Sequence, residues 1–251
     1  MAAEIAVATV LGGLLGSFLN VVIWRLPRGE SLVTPGSHCP ACDAPVKPYD
    51  NIPVVSWLLL RGRCRNCGAP ISPRYPVVEL ITAVCFGAVV AARGFDDDLW
   101  LELPFVACLI ALAGIDLDHK LLPNKIVYPM AAYGVGISLV VATGDFPEHV
   151  IAGVGAFAFL LIAVLAYPAG MGMGDVKLAG AMGLYLGVSV IPALLAAFLT
   201  GTVFGLAVIA REGAAARKKA VPFGVFLAIG GLVGVLAGPE LIDIYESNFL
   251  N

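Results

Sequence analysis

Residues 178–210 form a run of 33 positions without one charged side chain. As a single helix the run would reach about 50 Å, whereas the hydrocarbon layer of a bilayer is about 30 Å thick. It has to be accommodated as two short spans turning near residues 187–192, or as one span plus a re-entrant piece. Further apolar blocks occupy residues 5–24, 77–92, 99–115, 126–143, 150–167 and 221–237. They are continuous rather than amphipathic, the pattern of membrane-spanning helices. Only 13% of the chain is charged, about half the share found in soluble domains. The basic residues are few and serve topology, so nucleic-acid binding is excluded.

The block at 5–24 is long enough to cross the bilayer. A cleaved signal peptide would need a basic segment before it. Here only Glu4 precedes the block, and Arg25 and Arg28 follow it. The expectation is a retained first span with its N-terminus outside.

Charge placement orients the rest. With 25–76 in the cytoplasm, the segments 116–125 and 168–177 fall on the same side by counting crossings. The basic loop at 211–219 joins them if 178–210 crosses an even number of times. That arrangement leaves Arg93, beside Asp96, Asp97 and Asp98, as the one outer member of the fifteen Lys and Arg residues, the bias that the positive-inside rule demands. The predicted fold is an all-α polytopic membrane protein of about eight transmembrane helices with a small cytoplasmic zinc-binding loop domain. Its parts are a first transmembrane helix (1–24), a cytoplasmic four-cysteine domain (25–76) and a transmembrane domain (77–251). No internal repeat stands out, and the small-residue stretch at 213–216 is the longest low-complexity tract.

Within the loop, Cys39-Pro-Ala-Cys42 and Cys64-Arg-Asn-Cys67 form two C-x-x-C pairs. Pairs at this separation can close four thiolates tetrahedrally around zinc. Disulfides are the competing reading, disfavoured in a reducing compartment. About fifty residues bury little core, so a metal would contribute folding energy directly. Four protein ligands leave no open coordination position, which makes the expected site structural. Cys85 and Cys108 fall inside spans, where cysteine behaves as a small buried hydrophobe.

Ionisable groups at membrane depth are costly and point to function. Asp116 lies where the third span meets the cytoplasm, and Asp175 follows the glycines at 170, 172 and 174. An even number of crossings separates them, so both carboxylates face one side. Two carboxylates a few ångströms apart do not both ionise easily. One can take a proton from water while its protonated partner polarises a peptide carbonyl. The competing reading has Asp175 capping a helix that starts at Val176, with Asp116 and Asp118 ordinary loop charges. No Ser-His-Asp or Cys-His arrangement is legible.

These segments, taken in order, resemble the bacterial prepilin peptidases. The resemblance runs from Gly16-Ser17-Phe18-Leu19-Asn20 through Arg25-Leu26-Pro27, Ser37-His38-Cys39-Pro40 and Tyr49-Asp50-Asn51-Ile52-Pro53. It continues with Gly62-Arg63-Cys64-Arg65, Arg74-Tyr75-Pro76-Val77-Val78-Glu79, and Asp116 with Leu122-Pro123-Asn124. Gly172-Met173-Gly174-Asp175-Val176-Lys177 and Pro222-Phe223-Gly224 complete the set. The resemblance implies a membrane aspartic endopeptidase of the GxGD type, similar in motif to presenilin-like proteases, with Asp116 rather than Asp118 paired with Asp175. It implies that residues 77–251 are the peptidase and 25–76 the methyltransferase-associated part, since the shorter archaeal relatives lack the cysteine loop. It further implies prepilin or pseudopilin substrates cut at the cytoplasmic face of the bacterial inner membrane, with N-methylation from S-adenosylmethionine. No residue pattern assigns the methyl-donor ligands. The alternative weighed is a proton-coupled carrier using the two aspartates as a relay; it predicts acids near the midplane and matching broken helices in two halves.

Overall fold

The computed structural model describes residues 1–141, 144–168, 170–213 and 221–249. Arg217, Lys218 and Lys219 of the basic loop, and most of the 213–216 stretch, lie outside the described residues. The chain divides into two compact units, Met1–Phe95 and Asp96–Asn251. All its extended regular structure is helical among the described residues.

In the first unit, α1 (Ala2–Arg25) packs on α3 (Arg74–Arg93). The pair is antiparallel, because Gly16 meets Glu79 and Thr82, Gly12 meets Ala83 and Phe86, and Gly87 meets Thr9. Gly12 and Gly16 sit four apart on one face of α1, and a Cβ on Gly12 would lie 2.7 Å from the Thr82 carbonyl oxygen. Lipid gives apolar side chains no reason to leave it, so small residues that bring backbones together hold membrane helices. Asn20 Nδ2 donates to the Tyr75 carbonyl at 3.1 Å and closes the pair at its other end. Between these helices lies an irregular segment carrying two 3-10 turns, at Leu26–Arg28 and Pro48–Asp50, and a short α-helix, α2 (Val55–Leu59).

The second unit contains α4 (Leu99–His119), α5 (Asn124–Val141), α6 (Phe146–Ala166), α7 (Met173–Leu186), α8 (Val190–Glu212) and α9 (Phe223–Phe249). On α4, Phe105, Leu109, Leu112 and Ile115 are among the most buried side chains, as are Leu178 and Met182 of α7 and Leu227 of α9. Phe105 stacks on Tyr185 with centroids 4.6 Å apart, and the Tyr185 hydroxyl donates to the Met130 carbonyl at 2.8 Å.

The uncharged block at 178–210 turns back on itself as a helical hairpin. α7 breaks at Gly187, whose φ is +53°, and a 3-10 turn at Gly187–Ser189 leads into α8. Met182 and Leu186 of α7 meet Gly231 and Gly234 of α9 in rising order, so these two helices run parallel. Gly201 meets Phe226 of α9 while Ala193 and Ala197 meet Gly230, so α8 runs antiparallel to α9 and hence to α7. The turn is tied to the first residues of α6, where Glu148 Oε1 accepts the Val188 N–H at 3.0 Å and the His149 ring nitrogen meets the Leu184 carbonyl at 3.0 Å. Among the described residues, six stretches are long and apolar enough to cross a membrane. Met173–Glu212 is one of them and contains both arms of the hairpin. With eight helices of 14 residues or more among the described residues, the chain is an all-helical polytopic membrane protein.

α6 and α7 approach closely at Gly183, where a Cβ would lie 2.5 Å from the Gly153 nitrogen and 2.6 Å from the Ala152 carbonyl. Backbone cannot yield as a side-chain tip can, so Gly183→Leu is expected to part α6 from α7. Overpacking costs about 1–3 kcal/mol, and the variant should show a lowered unfolding temperature in detergent, with Gly155→Leu, which has open space, as the unchanged control.

Candidate active site and metal centre

The C-terminal end of α4 and the N-terminal ends of α5, α7 and α9 lie at one end of the second unit, since Gly224 meets Asp116 and Leu122, Gly174 meets Leu122, and Lys177 meets Asn124. α4 stops because Lys120 adopts the left-handed conformation (φ +51°) and its N–H bonds back to the Asp116 carbonyl at 2.9 Å. Asp116 extends the stripe of Phe105, Leu109 and Leu112 by one turn, and periodicity buries it with them at 5% exposure. Gly224 and Val225 sit in the first turn of α9, where N–H groups have no partner within the helix. They face the Asp116 carboxylate, at the electropositive end of that helix. Its Oδ2 is buried and makes no hydrogen bond of normal geometry among the described residues.

Asp175 is also buried, at 9% exposure. The helix it belongs to starts at Met173 rather than at Val176, with Gly172 in extended conformation before it. Asp175 reaches back, its Oδ2 accepting the Gly172 N–H at 3.0 Å while its own N–H donates to the Gly172 carbonyl at 3.1 Å. Capping is thus real, and it holds the carboxylate still. Asp175 lies within electrostatic reach of Asp116, so its capping role does not exclude a pairing of the two carboxylates.

Leu122 organises the cluster. A Cβ on Gly174 would lie 3.1 Å from Leu122 Cβ, and one on Gly224 would lie 2.8 Å from Leu122 Cδ2 and 2.9 Å from Asp116 Oδ2. The leucine therefore fills the space between the backbones that open α7 and α9. Beside it, Lys177 Nζ donates to Asn124 Oδ1 at 3.1 Å and lies 5.3 Å from the Tyr128 ring centroid. Leu122, Asn124, Lys177 and Gly224 were visible in sequence only as pieces of separate motifs. Nothing in one sequence says which pieces touch. Asp118 is exposed.

In the first unit, Cys39, Cys42, Cys64 and Cys67 place their sulfurs within 4.8 Å of one another, and all four are free thiols. The disulfide alternative is not realised. Cys39 and Cys67 Sγ are 3.8 Å apart, about the edge of a tetrahedron whose centre is about 2.3 Å from each sulfur. The cluster could hold a metal ion.

A short repeat builds it, legible in the sequence but only seven residues long. Cys-x-x-Cys-x-Ala-Pro occurs at 39–45 and again at 64–70. The Cys39 N–H bonds to the Ala44 carbonyl at 2.9 Å and that of Cys64 to Ala69 at 2.8 Å. The N–H groups of Asp43 and Gly68 return to Cys39 and Cys64, both at 2.9 Å. Asp43 and Gly68 have φ of +57° and +72°, and an antiparallel bridge follows each knuckle, His38 to Pro45 and Arg63 to Pro70. Asn66 donates to Cys42 Sγ at 3.5 Å. That amide, then the Ala44 N–H, brings the Cys42 thiol down to about 6. Cys64 is lowered by the N–H groups of Cys67 and Asn66. Such donors favour the thiolates a metal needs. Arg65 grips Asp50 with contacts of 2.7 and 2.9 Å, tying the second knuckle to the turn at Pro48–Asp50 and holding the Asp50 carboxyl below its usual range.

Residues 10–93 match the family described as the Bacterial Peptidase A24 N-terminal domain, and residues 103–206 match the Type IV leader peptidase family. The chain belongs to the type IV leader peptidase family. Its relatives include the prepilin leader peptidase/N-methyltransferase of Aeromonas hydrophila, 39% identical over 94% of this chain and 92% of the relative. The proteins of the same name from Neisseria gonorrhoeae (37%, covering 91% and 89%) and Pseudomonas aeruginosa (32%, covering 94% and 91%) are similar over most of both chains. No solved structure matches the chain. The two family segments fall one in each compact unit, the cysteine cluster in the first and both aspartates in the second.

Two measurements check this construction. Cys39→Ser or Cys64→Ser should remove most of the bound metal, read by elemental analysis of the purified protein; full metal content in both would dissolve the four-thiolate site. Gly224→Ala should displace Asp116 or Leu122, and because a 1 Å misplacement can cost about 100-fold in rate, a leader-peptidase assay should show a large loss in a chain that still accumulates in membranes.

Proposed function

We propose that this chain cleaves the basic leader from prepilins or pseudopilins with Asp116 and Asp175, and then N-methylates the new terminus. The observation that supports the first half is that two buried carboxylates lie within electrostatic reach of each other, beside the glycines that open α7 and α9. One carboxylate accepts a proton from water as the water oxygen attacks the scissile carbonyl carbon. The other, protonated, hydrogen-bonds the carbonyl oxygen and then supplies the proton on which the amine leaves. Neither a covalent intermediate nor a metal takes part. Asp175, braced by the Gly172 N–H, needs little reorganisation to do this.

The site opens to the cytoplasm in this reading. Lys120, Lys125, Lys177 and Arg211 all lie at the end of the second unit that holds the aspartates, which agrees with the positive-inside rule. The host membrane is then the bacterial inner membrane.

The cysteine cluster takes zinc as its metal, since four thiolates at tetrahedral separation suit that ion. Bound there, it supplies folding energy to the segment and no chemistry. Residues 25–76 serve the methyl-transfer step and 77–251 the peptidase, after the first transmembrane helix at 1–24. S-adenosylmethionine is the methyl donor, in keeping with the N-methyltransferase names of the relatives.

Mass spectrometry of a prepilin incubated with the protein tests both halves at once. Asp116→Asn or Asp175→Asn should reduce leader removal to background, whereas Asp118→Asn should be mild. With a pre-cut substrate, Asp175→Asn should still add the methyl group. Normal cutting by either dyad variant would end the aspartate reading.

A further inference from the structure

We propose that residues 52–59 of the first unit are a re-entrant element seated in lipid beside α1 and α3, and that Glu79 positions it there. The segment lies in what the sequence presents as a water-exposed loop. Its tip, however, packs far along the membrane helices. Pro53 Cβ lies 3.6 Å from where a Gly13 Cβ would be, and Ala83 Cβ lies 3.8 Å from the same point. Ala83 is nine residues along α3 from Arg74, about 13 Å at 1.5 Å per residue. Gly13 is further still from Arg25. Both lie inside the spans Ala2–Arg28 and Arg74–Arg93. The exposed aromatics Trp24 and Tyr75 stand beside Arg25 and Arg74, where a membrane interface places such residues.

Irregular backbone survives at that depth only if its polar groups are satisfied by protein, and here the N–H groups of Ile52, Val54, Val55, Ser56 and Leu58 all have protein partners. The Val54 N–H donates to Glu79 Oε2 at 2.7 Å. Ile52 N–H donates to Ser56 Oγ at 3.2 Å, and Ser56 Oγ donates on to the Tyr49 carbonyl at 2.8 Å. The N–H groups of Val55, Ser56 and Leu58 find the carbonyls of Pro53, Ile52 and Val54 at 2.6, 3.1 and 3.1 Å. Pro53 has no N–H to satisfy. The bond from Val55 to Pro53 closes a γ-turn about Val54, with φ +61° and ψ −49°. This is the rare, strained form of that turn, all the more so for a β-branched residue. Such a conformation persists where its surroundings over-determine it, and Glu79, only 8% exposed, is the group that does so.

The side chains the segment turns outward are apolar. Ile52, Val55, Leu58 and Leu59 are 49%, 49%, 60% and 77% exposed. Arg61 and Arg63, both exposed, follow directly. Apolar residues beside cations match the acyl chains and anionic headgroups of a lipid leaflet. The partner is therefore the bilayer, and this holds whether or not the peptidase reading stands.

The test uses the full chain reconstituted in vesicles of phosphatidylcholine and phosphatidylglycerol. Leu59→Trp is compared with Val33→Trp, which marks an exposed position on the same loop away from the element, and emission is taken as the difference from the parent. The Leu59→Trp signal should lose most of its intensity with brominated acyl chains and resist aqueous acrylamide; Val33→Trp should do the reverse. Quenching of Leu59→Trp by acrylamide alone, or by neither agent as under a covering protein surface, would overturn the proposal. Adding Glu79→Gln, which keeps an acceptor for Val54, should preserve the bromine quenching, and Glu79→Ala should lose it. Unchanged quenching in Glu79→Ala would remove the positioning role. Should Glu79→Ala fail to fold, the Leu59→Trp measurement in the otherwise unaltered chain still decides the lipid contact.

Discussion

A carboxylate buried at the end of a membrane helix has to be compensated locally, because neither lipid nor bulk water is there to do it. Asp116 imposes that requirement, and the second unit is built around meeting it. The opening turn of α9 turns its free N–H groups toward the charge, and Gly224 allows the approach because no side chain stands between backbone and carboxylate. Asp175 meets the same cost differently, by accepting the N–H of its own cap residue. Two helix starts, with Leu122 wedged between them, give each acid backbone N–H groups at a place where it would otherwise be unfavourable.

Close backbone approach recurs as the means of assembly. Gly12 and Gly16 seat α1 on α3, Gly183 seats α7 on α6, and Gly224 seats α9 on the end of α4. The first two contacts hold helices where lipid offers no hydrophobic drive to pack them. The third shapes the chemistry. One residue type thus serves both stability and site geometry, and substitutions at these positions divide by what the added carbon meets: backbone at Gly183, a carboxylate at Gly224.

The cysteine segment follows another logic. It has too little apolar bulk for a core of its own, and it is held instead by two equivalent knuckles, the Asp50–Arg65 pair and the anchorage of Val54 on Glu79. A metal at the four thiols would complete the first of these ties. The last joins the segment to the spanning helices, which makes the first unit a single body rather than a helix pair with a loose appendage.

The amino-acid sequence alone determined the membrane class, the number and order of the apolar blocks, the four cysteines and the two aspartates worth attention. These follow from local quantities: the length of an uncharged run, the spacing of ligand types, the rarity of an acid beside a span. It left open whether residues 178–210 turn back, because a uniform apolar run carries no record of direction; the left-handed Gly187 and the packing on α9 decided that. It could not show that Leu122, Gly174 and Gly224 meet, nor that Pro53 reaches Gly13, since contacts between distant segments depend on how helices are oriented. The same holds for Asp175, whose capping and pairing roles look like rivals along the chain and become compatible only because α7 starts at the level where α4 ends.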